Sequence, residues 1–255
     1  MKYHYDRTPI GTIVDALSYY TSGEFESPTR STVPLLSWLN QEQPMVSSLS
    51  LELGMPTDPN LCLEYQVKPP KGRGTASHTD LMVISGESSL AVEAKWTEPR
   101  YERVSTWLKN KGTNGQIVLT GWLGLLQKHT QFTLNLADFS DAIYQMVHRA
   151  ASACAVGSDP RMAYLVFKSS SAPRTVNSEQ TQSDLLYLFK LFGCPSAFPF
   201  FLVEIPLSPT AAFEAIENLL KANKATAQRV TTALAGSAPL FKFGGYRVTK
   251  IGDNP

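Results

Sequence analysis

Three ionisable residues sit where a chain normally excludes charge: Asp80 in TDLMVIS, and Glu93 and Lys95 in SLAVEAKW. Both segments are short apolar runs with the composition of strands, and an unpaired charge inside such a run is costly. The three charges must therefore either satisfy one another or do chemistry. Side chains alternate across a strand, so Ala91, Glu93 and Lys95 share one face while Leu90, Val92, Ala94 and Trp96 share the other. On the preceding run His78, Asp80 and Met82 share a face. A tight turn at GES, residues 86–88, makes the two runs an antiparallel hairpin and carries Asp80 towards Glu93 and Lys95.

Two carboxylates beside one ammonium suit metal-assisted hydrolysis of a phosphodiester. Asp80 and Glu93 are the expected ligands of Mg2+ or Mn2+, which binds through one or two carboxylates and keeps positions for water and substrate phosphate. Such a cation polarises the phosphoryl oxygen and lowers the pKa of a bound water. Lys95 is the expected partner that orients or deprotonates that water and offsets transition-state charge. Asp80, Glu93 and Lys95 are therefore the candidate catalytic set.

The arrangement resembles the PD-(D/E)xK phosphodiesterase superfamily, the restriction-endonuclease-like fold. The resemblance is carried by Asp80 near the start of one strand and by Glu93-Ala94-Lys95 inside the next, followed by a helix. Thr79 stands where the superfamily's name has Pro. The resemblance implies a metal site at Asp80 and Glu93 with the Ala94 carbonyl, Lys95 as the catalytic lysine, and a helix, three strands, helix, strand core over about residues 9–168. Many members add an acid from the first helix, for which Glu24, Glu26, Glu52 and Glu64 are the candidates. An ExK triplet is common in any chain; the information lies in its setting, a pair of buried-looking strands joined by a turn. The structural alternative is a strand-end Asp and a Glu/Lys pair facing solvent on a one-sided sheet.

The elements that must position these residues are legible as changes of period. Residues 9–20 have helical spacing at Ile10, Ile13, Val14 and Leu17, with Pro9 suited to a first turn. A second helix is expected from Ser31 or Thr32 as cap, with Pro34 in its first turn. Strands are expected at 61–67, 79–85 and 89–96. The link KPPKGRGTAS reads as a flexible basic loop, and Lys68, Lys71 and Arg73 in it are the candidate nucleic-acid contacts. A helix starting near Thr97 and Pro99 puts Tyr101, Val104, Trp107 and Leu108 on one face, and its N-terminus near Lys95 would favour an anion. Further helices are expected at 115–129, apolar on nearly all sides and so largely buried, and at 136–153, 183–192 and 209–223, the last capped by Ser208 with Pro209 in its first turn. Strands at 162–168 and 200–205 and a terminal edge pair in PLFKFG and YRVTKI complete the reading. The expected architecture is α/β: a restriction-endonuclease-like mixed central sheet flanked by helices, in one domain over 1–255, with an α/β extension from about 169 to 255. His78 and Gln116 read as a hydrogen-bonded structural histidine and a polar helix start.

At 255 residues, 43% hydrophobic and 18% charged, the chain can bury a substantial core. A net charge of +1 advertises no polyanionic partner, so any nucleic-acid surface must come from local clustering. Cys62, Cys154 and Cys194 form no CxxC pair, which argues against a thiolate zinc site or a disulfide framework and fits a reducing cytoplasm. No stretch approaches the ~18 apolar residues of a membrane span. The expected function is Mg-dependent hydrolysis of DNA, in restriction, repair or mobile-element processes, by a cytoplasmic protein with no membrane partner. The pattern does not separate DNA from RNA and is compatible with a homo-oligomer. Two rivals stand beside it: a non-catalytic member of the same fold that binds nucleic acid or serves a larger complex, and an unrelated α/β interaction protein.

Overall fold

The computed structural model describes residues 1–169, 176–221 and 227–253. Among them nine strands form one mixed sheet, in the order β2-β1-β3-β4-β5-β6-β7-β8, with β9 also on β7. Its centre is β3 (Asn60–Val67), β4 (Ser77–Ser85), β5 (Ser88–Lys95), β6 (Asp159–Lys168) and β7 (Phe200–Pro209). β3, β4 and β5 run antiparallel in succession, and β6 and β7 then add parallel to β5. These are the apolar runs of the sequence, and they lie in the middle because both their faces are buried. The edges are β1 (Lys2–Tyr5) and β2 (Thr8–Ile10) at one end, and β8 (Phe241–Phe243) and β9 (Arg247–Lys250) at the other.

Helices cover both faces. One core joins α1 (Thr32–Gln41), α2 (Gln43–Glu52), α6 (Ala211–Lys221) and α7 (Ala227–Ala235) to the sheet face carrying Leu90, Val92, Ala94 and Trp96. The other joins α3 (Val104–Leu126), α4 (Tyr144–Val156) and α5 (Ser178–Leu191) to the face carrying Ala91, Tyr164 and Val166. The expected alternation in β5 is therefore the observed one.

Several expectations are corrected. Residues 9–20 do not form an α-helix: Pro9 lies in β2, and only a 3-10 turn follows at Val14–Ser18. As an edge strand, β2 tolerates the missing N–H of Pro9, which pairs with His4. α3 begins at Val104 and not near Thr97, so Tyr101 lies outside it and is 44% exposed. The first N–H groups of α3 are occupied, Val104 donating to the Ala142 carbonyl and Ser105 to that of Ser140, so its N-terminus is no anion site. Residues 115–126 are the second half of α3, 127–129 form a 3-10 turn, and α3 is buried on one face only; Trp107 and Trp122 are buried while Ile117 is exposed. The two halves meet at a kink where Gly112 adopts φ 56° and ψ −144°, a conformation open to glycine alone. Ser208 and Pro209 end β7 against β8 and do not cap α6, and residues 222–223 of the expected 209–223 helix lie outside the described residues. Ser31 is the N-cap of α1, but its side chain does not cap; instead the Glu98 carboxylate accepts the Ser31 N–H and also the Trp96 N–H, at 2.8 Å. That carboxylate fastens the start of α1 to the end of β5.

Candidate functional site

Asp80 lies in β4 and Glu93 in β5, and the register that pairs Leu81 with Val92, continued by one residue, sets the two opposite each other. Directly opposed residues share a face, so the carboxylates meet on the side covered by α4. Asp80 Oδ2 accepts the Ala94 N–H at 2.8 Å, which pins its carboxyl against β5. Lys95, two residues beyond Glu93 on the same face, donates to Glu93 Oε1 at 2.8 Å. The three residues singled out in the sequence are brought together.

Two further residues, not singled out by the sequence pattern, join them. α4 presents Gln145 and Arg149, one turn apart, to the same carboxylate: Gln145 donates to Glu93 Oε1 at 2.7 Å, and Arg149 Nε donates to Glu93 Oε2. Arg149 also donates to Ser77 Oγ at 2.7 Å, and that hydroxyl lies 2.9 Å from His148 Nδ1. α4 approaches the sheet this closely because Ala150, Ala151 and Ala153 are small and fully buried, and Ser89 bonds the Ala153 carbonyl at 2.9 Å. Its outer flank is fixed by Tyr144, stacked on Trp107 of α3 with ring centroids 3.7 Å apart. The signal in the sequence was a Gln and an Arg four apart within a run of small and apolar residues.

Two acids and two bases share the cluster, but not evenly. Burial, and then Glu93, drive the Asp80 carboxyl well above the ordinary aspartate range. Burial would raise Glu93 too, but Arg149 and then Lys95 outweigh it and hold Glu93 below its ordinary value. Burial would lower Lys95, yet Glu93 and then Asp80 raise it, so the ammonium stays charged. His148 is pushed well down by burial and by Arg149 and Lys95, which leaves its imidazole neutral at pH 7.

Of the four further acids, Glu64 on β3 is the one that faces Asp80. Its position falls between the pairs Leu63–Leu81 and Tyr65–Thr79, and its charge adds to the rise at Asp80. Glu64 adopts φ 50°, an uncommon left-handed backbone in mid-strand, and its carboxylate lies 3.8 Å from His78 Nδ1. Glu24 is paired with Arg30, Glu26 is exposed, and Glu52 is on α2, against the opposite face of the sheet. Gln116 is exposed on α3.

The residues fit a magnesium-type ion in one respect and resist it in another. Asp80 Oδ1 has no hydrogen-bond partner among the described residues, and the Asp80–Glu93 repulsion is what a divalent cation would relieve. Glu93 Oε1 already accepts two donors, and Oε2 one, so Oε2 keeps a single open lone pair. Among the described residues no three His, Cys, Asp or Glu side chains are grouped as a metal cage. Two carboxylates with the remaining positions left to water and phosphate suit Mg2+ rather than a fully protein-ligated ion.

The cluster lies between two openings. A cavity of about 430 Å3 has Lys95, Gln145 and Tyr164 in its wall, and a cleft of about 660 Å3 is lined by Arg73, Lys111, Gln145, His148 and Arg149. Arg73 thus reaches the cleft, while Lys68 and Lys71 are exposed beside it and do not line it. The loop holding them is docked: Asn114 of α3 accepts the Arg73 N–H at 2.9 Å and donates to the Arg73 carbonyl at 2.6 Å. Gly121 of α3 lets the loop in, since a Cβ there would lie 2.9 Å from the Lys71 backbone nitrogen.

Fold and site together define an α/β protein with a buried acid–lysine–arginine cluster at the junction of two strands and a helix. The chain matches the family model described as a domain of unknown function, DUF6946, over residues 9–200, and belongs to that family. No curated protein and no solved structure matches it. No helix among the described residues is long and apolar enough to cross a membrane.

Proposed function

We propose that the protein is a Mg2+- or Mn2+-dependent nuclease of the PD-(D/E)xK kind that hydrolyses DNA phosphodiester bonds. One observation carries the reading: Asp80, Glu93 and Lys95 converge on one face of a buried hairpin, where ionised groups are normally excluded. The restriction-endonuclease-like core is supported by the order α1 and α2, then β3, β4, β5, then α3 and α4, then β6, with β6 parallel to β5.

In this reading Asp80 and Glu93 hold the cation, which when bound supplies phosphoryl polarisation and a water of lowered pKa. Lys95, kept protonated by Glu93 and Asp80, contributes charge rather than base: it orients the water and offsets negative charge on the phosphoryl group. Gln145 and Arg149 fix the Glu93 rotamer, so that the carboxylate is preorganised before substrate arrives. Arg73 beside the cleft, with Lys68 and Lys71 on the same loop, contacts backbone phosphates.

The alternative, a non-catalytic nucleic-acid-binding member of the fold, is favoured by the three donors already on Glu93. End-labelled linear DNA, single-stranded and duplex, incubated with Mg2+, Mn2+ or EDTA, separates the two. The nuclease cuts at least one substrate with metal and none in EDTA, and Lys95→Ala lowers the rate at least a hundredfold. Uncut DNA under every condition, with binding retained, selects the alternative.

A further inference from the structure

The cavity that opens beside Lys95 carries features the hydrolytic chemistry does not use. Tyr164 on β6 is the register partner of Glu93, shares its face, and is 2% exposed. Its buried hydroxyl has no hydrogen-bond partner among the described residues, although buried polar groups are almost always satisfied, and the residue forms part of the cavity wall.

The rest of the wall is mainly apolar and uncharged in sum. Pro99, Tyr101, Ile143, Met146 and Val176 supply the apolar surface, with Tyr101 44% exposed. Arg100 is neutralised by Asp184 through two bonds of 2.7 Å, and Glu98 is engaged by backbone N–H groups. That leaves Lys95 as the cation at the inner end, 14% exposed, its charge shared with Glu93. On the outer side the Gln180 side chain donates one N–H to Asp184 and the Asn177 Oδ1 accepts the Gln180 backbone N–H, so each side-chain amide keeps groups to spare. A volume of about 430 Å3 falls within the ~300–1,000 Å3 of small-ligand sites.

We propose that this cavity is a nucleotide pocket that takes one unpaired base of a DNA strand, its phosphate towards Lys95, so that the substrate is single-stranded or locally opened DNA. The inference rests on the nuclease reading for the identity of its ligand. A neutral, flat, partly apolar group suits walls that carry no surplus charge, and an exposed tyrosine at the mouth offers a stacking face. A base within an intact duplex presents only its edges, so one that inserts into a cavity of this size has left the stack. The Tyr164 hydroxyl then finds the acceptor it lacks.

The test is fluorescence anisotropy of the full chain in EDTA, with a labelled single strand and the blunt duplex of the same sequence. The single strand is expected to bind at least tenfold more tightly. Gln180→Trp, at the exposed rim of the cavity, should weaken single-strand binding at least fivefold and leave duplex binding unchanged. Tyr164→Phe should weaken it severalfold without lowering the melting temperature. Equal affinity for the two DNAs, or single-strand binding untouched by Gln180→Trp, overturns the proposal. Single-strand preference lost in Gln180→Trp, with no cleavage in Mn2+, keeps the pocket and removes the nuclease. Cleavage in Mn2+ with equal affinity for both DNAs keeps the nuclease and removes the pocket.

Discussion

Asp80 and Glu93 face each other across one strand pair, yet their carboxyls are driven in opposite directions because Glu93 has taken the cations. Asp80 keeps its proton in the folded chain at pH values where the unfolded chain, with an aspartate pKa of about 3.9, has released it. Stability therefore falls as pH rises from about 4 through the raised folded-state value. Asp80→Asn, which can still accept the Ala94 N–H, should melt above wild type at pH 8 without metal, and the gap should close as pH falls towards 4. Thermal melts across that range check it; a strongly destabilised variant at pH 8 would mean that the Asp80 charge is needed by the fold. Glu93 carries the opposite sign: its contribution is complete above about pH 4.3 and is lost as pH falls through its lowered folded-state value. Glu93→Gln leaves Arg149 and Lys95 buried without their main counter-charge, and at pH 7 should cost about 3–5 kcal/mol in urea unfolding.

At the scale of elements, the strands were the legible part. β3 to β7 are short apolar runs bounded by turn residues, and nothing in tertiary context competes with that signal. Edges and boundaries were not legible: Pro9 reads as a helix start and sits in β2, and Ser208-Pro209 read as a cap and end β7. In both cases pairing with residues elsewhere decided the outcome, His4 for one and Phe241 and Lys242 for the other. The loop between β3 and β4 read as flexible because of its Gly, Pro and Lys content, yet two Asn114 bonds and the gap at Gly121 seat it on α3. Each bond is worth about 1 kcal/mol. Asn114→Ala should therefore leave global stability within about 2 kcal/mol of wild type while making the chain far more sensitive to trypsin at Lys71 and Arg73. Limited proteolysis followed by mass spectrometry reads this, and an equally resistant loop would contradict the docking.

Across the whole molecule, a sheet closed on both faces by helices turns the hairpin into an interior, and the interior makes its charges consequential. The acid pair and lysine could be read from the sequence because they lie within one hairpin. Arg149 and Gln145 could not, since they arrive from α4, 56 and 52 positions beyond Glu93, on a helix whose polar residues look solvent-facing by periodicity. Those two residues raise the central question, which is whether the cluster is a cation site or an ion-pair network complete in itself. Titration of Mn2+ with the melting temperature as readout, on wild type, Lys95→Ala and Asp80→Asn, answers it most directly. A metal site requires a saturable rise in wild type, a similar rise in Lys95→Ala, and at least a tenfold loss of apparent affinity in Asp80→Asn. A wild-type melting temperature that does not move with metal, together with a destabilised Asp80→Asn, would contradict the account and leave Asp80, Glu93, Lys95 and Arg149 as a structural network.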